Sequence, residues 1–216
     1  CVRDDNRGLL PQVRDAGPTV TLYGRRTRRS NCPVVLHGVR VLMALDHLIS
    51  DLAASSLSDT EQYRAVCRAA ATNEVTFEHF RSHPHYTRVL EHVTPEQGQQ
   101  YRDEIKRIDE TLLEHSRWFR ANDEHGNPPL TDYLDVGLVS PTTLRYVKVL
   151  ADLRKLFGMA LDRRIVEVGG GYGGQARIIC GRELLTRAYT IVDLREPLAL
   201  ARRYLNEYRE TTARMH

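Results

Sequence analysis

Apolar positions fall into two regimes along this chain. From Val34 to about residue 158 they recur three and four apart, the spacing of helices that hide one face; beyond it, short β-branched runs alternate with helical stretches. In the first regime Val39, Val41, Leu42, Leu45, Leu48 and Ile49 predict a helix over 39–49. A second is opened by Ser58, with Glu61 three residues on completing a capping box, and runs through Tyr63, Val66 and Cys67 to Ala71. A short helix over 76–80 precedes His83-Pro84. Thr94-Pro95-Glu96-Gln97 is a further capping box with proline at the first helical position. Its helix, through Tyr101, Ile105, Ile108, Leu112 and Leu113, is expected to be the longest and to reach Trp118-Phe119, before the turn-rich stretch Asn122 to Pro129. Ser140 and Pro141 start another, whose stripe Leu144, Val147, Leu150, Leu153 and Leu156 runs up to Gly158.

The second regime opens with Ile165-Val166-Glu167-Val168, a run suited to a buried strand, followed at once by Gly169-Gly170-Gly171-Tyr172-Gly173-Gly174. A helix over 175–180 comes next. Ala188 to Val192 predicts a second strand, ending in Asp193, and a last helix covers 198–205. The division that follows is a poorly structured leader over 1–33, a helical region over 34–139 and the start of an α/β unit over 140–216.

Composition narrows the function classes. Net charge is only +3 over 216 residues, and the basic residues, nearly all arginine, are interleaved with acids. Nucleic acid is therefore not an expected partner. The cluster Arg25-Arg26-Thr27-Arg28-Arg29 reads as a solvated segment. Cys1, Cys32, Cys67 and Cys180 lie far apart with no CxxC pair, which suits reduced thiols in a cytoplasmic protein. No apolar run approaches a membrane span. His79, His83 and His85 are close together, but their spacing is not a metal-ligand pattern, and structural or solvent-facing roles are favoured.

The glycine stretch carries the chemistry. Residues without Cβ let a ligand approach the main chain, and the helix start behind them offers free N–H groups, so strand, glycine turn and helix form a candidate nucleotide cradle. Two patterns overlap on it. Gly169-x-Gly171-x-x-Gly174 fits the dinucleotide fingerprint, and Glu167-x-Gly169-x-Gly171-x-Gly173 fits the acidic-glycine pattern of S-adenosylmethionine-dependent methyltransferases. Glu167 favours the second, because a cofactor bearing sulfonium and ammonium gains from a nearby carboxylate and a pyrophosphate does not. Asp193, about 20 residues past the turn, is placed to accept ribose hydroxyls in either case. Thr142, Arg145 and Tyr146, near the start of the preceding helix, can wall the site or hold substrate.

Ser140-Pro141-Thr142-Thr143-Leu144-Arg145-Tyr146, the segment Ile165 to Gln175 and Ile191-Val192-Asp193-Leu194 with Pro197 together resemble the sugar O-methyltransferase family, over about residues 58 to 208. Phe80 to Pro84 and Leu90 to Val93 also fit its helical leader. The resemblance implies a helical N-terminal region followed by the first β-α-β-α part of a Rossmann-like class I methyltransferase fold. It also implies S-adenosyl-L-methionine as donor and a saccharide hydroxyl as acceptor. By the same resemblance Glu167, Gly169, Gly171 and Gly173 take the methionine end of the cofactor and Asp193 the ribose, with Tyr172 and Gln175 as additions; Gly170 and Leu194 are further expected cofactor contacts. Arg195 and Glu196 depart from the Asp-Leu-Pro pattern of more distant relatives. Only two strands are legible where such a sheet needs several more, so the chain is expected to be the N-terminal part of a longer enzyme, weak in cofactor binding and without turnover. Two rivals are an NAD(P)-binding oxidoreductase, which uses the same turn and Asp193, and a non-catalytic helical interaction module.

Overall fold

The computed structural model describes residues 20–21, 34–38, 60–158, 164–182 and 188–213. The helix expected over 39–49, the arginine cluster at 25–29 and Ser58 lie outside them. Strands β1 (Val20–Thr21) and β2 (Val34–Gly38) come first. Helix α1 (Glu61–Thr72) is opened by Thr60, whose hydroxyl accepts the Tyr63 N–H, and it buries Tyr63, Val66, Cys67 and Ala70, one helical face. Asn73 closes α1 and caps α2 (Glu74–Phe77) by accepting the Thr76 N–H at 2.9 Å, so this short helix starts two residues before its expected place. A 3₁₀ turn, Phe80–Ser82, leads to α3 (Pro84–Thr87), where the His83 ring accepts the His85 N–H at 3.3 Å.

Helix α4 (Pro95–Asp109) begins with both halves of the Thr94–Gln97 capping box in place. It stops well short of Trp118. The carboxylate of Asp109 accepts the Thr111 hydroxyl on one oxygen and the Arg154 guanidinium, at 2.7 Å, on the other, and this local bonding competes with continued helix. A 3₁₀ stretch, Glu110–His115, and α5 (Ser116–Arg120) carry the chain on. Strands β3 (Thr131–Tyr133) and β4 (Gly137–Val139) then form an antiparallel hairpin that the helical reading of 34–139 did not contain; Asp135 and Gly137, both at positive φ, make its turn. Helix α6 (Pro141–Phe157) has Ser140 as its cap and ends at Gly158, φ +85°, as expected. Its buried stripe fades after Leu150: Leu153 is half-buried and Leu156 is 70 % exposed.

The glycine segment joins β5 (Arg164–Val168) to α7 (Gly174–Arg182), followed by β6 (Ala188–Asp193) and α8 (Arg195–Ala213). Among the described residues α8, not α4, is the longest helix. The sheet order is β1-β2-β6-β5, with β6 parallel to both neighbours and β1 antiparallel to β2. The third parallel strand, β2, is thus drawn from the region read as helical. The fold is mixed α/β.

Burial alternates along β5 and β6. Ile165 and Glu167, in register with Tyr189 and Ile191, face the helices. Val166 and Val168 on the opposite face are 64 % and 81 % exposed. One contiguous core runs from Tyr63 of α1 and Phe77 of α2 to Ile178, Ile191 and Tyr204 around the sheet. Glu196, one of the residues that departs from the Asp-Leu-Pro pattern, contributes to this union. It accepts two bonds from Arg64 of α1, at 3.0 and 3.2 Å, a forked pairing of carboxylate and guanidinium. No helix among the described residues is long and apolar enough to cross a membrane.

Candidate functional site

The bend between β5 and α7 takes its shape from glycines at positive φ: Gly169 at +76°, Gly171 at +54° and Gly173 at +86°. These are the glycines that the acidic-glycine pattern singles out, and the backbone conformation supplies the reason. Around Gly169 there is open space, since a Cβ there would meet nothing within 4 Å. Gly170, at ordinary φ, is needed for a different reason. A Cβ there would lie 2.5 Å from Ile191 Cγ2 and 3.1 Å from Glu167 Oε2.

That open space belongs to a hollow of about 280 Å³ lined by Leu90, Arg145, Tyr146, Val149, Glu167, Val168, Gly169, Gly170 and Gln175. The strand end, the first half of the glycine bend, the start of α7 and residues of α6 are thereby brought together. Leu90 is a contact that sequence patterning missed, as no periodic signal marks it. Val149 sits one helical turn beyond Arg145, on the same face of α6, and was legible from that spacing.

Other expected site residues lie elsewhere. Thr142 is buried and donates its hydroxyl to the Leu90 carbonyl at 3.2 Å, so it fixes the wall and does not line it. Tyr172 is fully buried with its ring turned away from the hollow into the core. Its hydroxyl accepts from Asn122 Nδ2 at 3.1 Å, and its ring packs against Phe80, Tyr146 and Tyr204. The side chain of Tyr172 is thus an anchor for the bend and, unlike Glu167, is not part of the hollow's lining. Asp193 does not line the hollow either, nor do Gly171, Gly173 and Leu194. The Asp193 carboxylate clasps the bend, one oxygen accepting the Gly171 N–H at 2.8 Å and the other the Leu194 N–H at 2.7 Å. Each oxygen keeps a second lone pair.

Glu167 is the carboxylate in this lining. Tyr189 donates its hydroxyl to Glu167 Oε2 at 3.0 Å, leaving Oε1 without a hydrogen bond from the described residues. Burial pushes the Glu167 carboxyl up to about 7. The Tyr189 hydroxyl works against that rise, and the Asp193 charge adds to it. Asp193 is itself raised, first by burial, against the two loop N–H groups that hold it down. Because the folded value of Glu167 exceeds its ordinary 4.5, the folded chain retains a proton that the unfolded chain gives up between pH 4.5 and about 7. This group therefore favours the fold most at or below pH 4.5, and its contribution falls as pH rises through that window. Glu167→Gln is expected to remove this slope and to stabilise the ligand-free chain at pH 7.5 by roughly 1–3 kcal/mol. Urea denaturation of both proteins at pH 5 and pH 7.5 measures it; equal stability at pH 7.5 would contradict the assignment.

Among the described residues no group of three or more histidines, cysteines or carboxylates is arranged to hold a metal ion. A second, more open cleft lies between Arg117, Arg120, Asp123, Glu124, Leu130 and Leu138. It brings two arginines and two acids to one apolar rim. Comparison with family models, with curated proteins and with solved structures found no match to this chain.

Proposed function

We propose that the chain binds S-adenosylmethionine and belongs to an O-methyltransferase acting on a sugar hydroxyl. The observation that carries the reading is the Glu167 carboxyl at the end of β5, in one hollow with the open cradle at Gly169. The succession β5, glycine bend, α7, parallel β6 supports a Rossmann-like arrangement around that hollow. Its lining fits the amino-acid end of the cofactor: backbone free of side chains at Gly169 and Gly170, and the unbonded Oε1 of Glu167 to receive an ammonium group. The nucleoside falls to the Asp193 side, where the remaining lone pairs accept ribose hydroxyls.

When bound, the cofactor supplies a methyl group already activated as a leaving sulfonium's substituent. The chain's part is to orient and to exclude water. Glu167 serves binding and not the chemical step, since charge is lost from sulfur as the methyl departs and a close carboxylate favours the ground state. Among the described residues no side chain is assigned as the base that takes the sugar hydroxyl's proton.

Calorimetric titration with S-adenosylmethionine, S-adenosylhomocysteine and NAD tests the reading. The first two are expected to bind and the third not. An ammonium group lowers the raised Glu167 value, so binding releases a proton and is expected to tighten about 3- to 10-fold between pH 6 and pH 8. NAD as the one ligand bound would favour the oxidoreductase. Heat from none of the three would remove the cofactor reading and leave the interaction module.

A further inference from the structure

Helix α6 contributes Arg145, Tyr146 and Val149 to the lining of the hollow, and the cation there is Arg145. Resting on the cofactor reading above, we propose that Arg145 grips the α-carboxylate of the ligand's amino-acid tail, so that the site selects a zwitterion held between Arg145 and Glu167. Three observations converge on it.

The first is how the guanidinium is left. Arg81 is bonded to Glu91 and Asp123, Arg64 to Glu196, Arg102 to Asp103 and Asp135, Arg154 to Asp109 and Arg203 to Glu74. Arg145 has no hydrogen bond or ion pair among the described residues. Among the described residues the aromatic ring it meets is that of Tyr146, whose centroid is 5.4 Å from the guanidinium carbon. A half-buried arginine without an anion is an available fork of parallel N–H donors, and that geometry fits a carboxylate.

The second is what faces it. Glu167 lies in the same lining but forms no ion pair with Arg145, and its hydrogen bond goes to Tyr189. Opposite charges that line one hollow without pairing suit a ligand that bears both signs; a ligand of one sign meets a like charge there as well. The third is that the fork sits on a rigid mount. Arg145 is five residues past the Ser140 cap, on a helix whose Leu144, Tyr146 and Val147 are buried, and Thr142 of that helix is bonded to Leu90 of the same wall. Little ordering remains to be done when the carboxylate arrives.

S-adenosylhomocysteine carries the whole tail, whereas 5′-methylthioadenosine keeps the adenosine and sulfur but lacks the amino-acid group. The wild-type chain is expected to prefer the former by at least about 100-fold in calorimetric titration. Arg145→Met keeps the apolar stem over Tyr146 and removes the fork. It should weaken S-adenosylhomocysteine about 10- to 100-fold and leave 5′-methylthioadenosine unchanged, and Arg145→Lys should recover part of the loss. Unaltered thermal unfolding of both variants verifies that folding is not what is read. If the wild type binds S-adenosylhomocysteine and Arg145→Met binds it within twofold as well, the carboxylate assignment is wrong and the cofactor reading stands. If the wild type binds neither nucleoside, both fall together.

Discussion

Replacing Arg81 with methionine is expected to lower stability by about 3–5 kcal/mol, enough to unfold a chain of ordinary stability. Arg81 is fully buried. Its Nε donates to Glu91 at 2.6 Å, one terminal nitrogen to Asp123 at 2.8 Å and to the Asn122 carbonyl at 3.0 Å, and the other to the Ser140 hydroxyl at 3.0 Å. Its guanidinium also lies 4.8 Å from the centre of the Tyr172 ring. Methionine fills comparable space but leaves the buried Glu91 carboxylate without its partner and takes the guanidinium from Asp123, which keeps its bonds from Ser140 and Thr143; an unpaired buried charge costs far more than the pair contributes. Urea denaturation followed by the fluorescence of Trp118 gives the number. A loss below about 1 kcal/mol would mean that Glu91 and Asp123 find water or another partner, and that Arg81 is not the centre of this network.

Gly170→Ala is expected to have the second largest effect, on binding more than on folding. The added methyl would stand 2.5 Å from Ile191 Cγ2, deep in β6 packing, and 3.1 Å from Glu167 Oε2. Ile191 Cγ2 branches next to the β6 backbone and Glu167 Oε2 is held by the Tyr189 hydroxyl, so the bend or the Glu167 carboxyl must move. Overpacking of this kind costs roughly 1–3 kcal/mol, and the displaced carboxyl is expected to weaken S-adenosylhomocysteine at least about tenfold. The measurement is a pair of titrations beside melting curves. Unchanged affinity would show that the position of Glu167 does not govern the site.

Much of this was legible because it is local. The Thr94 box, the Ser140 cap, the Gly158 stop and the run from Arg164 through the glycines to Asp193 depend on chemistry within a few residues of each other, and the sequence pattern reads them correctly. What was missed depends on distant partners. The end of α4 at Asp109 needs Arg154, 45 residues away, and the strand Val34–Gly38 needs β6 as a neighbour. The site shows the same contrast. Glu167, Gly169, Gly170 and Gln175 meet where their spacing suggested, joined by Arg145 and Tyr146 from the helix before them. Tyr172, inside the bend, and Asp193, at the end of β6, turn to protein: the partners of one are Asn122, Tyr204 and Arg81, and those of the other are the Gly171 and Leu194 N–H groups. A motif specifies where a backbone bends, but not which way each side chain within it faces.

The ring of Tyr172 has a consequence for the chain's modularity. A division at residue 140 separates two compositions, yet Asn122 on one side of it bonds Thr143 and Tyr172 on the other, and Tyr204 donates back to the Asn122 carbonyl and amide oxygens. The glycine bend is tethered through its one aromatic side chain to the helices that come before it. Those helices act as the keel of the half that carries β5, α7 and β6, and neither piece is a part that can be swapped out while the other keeps its shape.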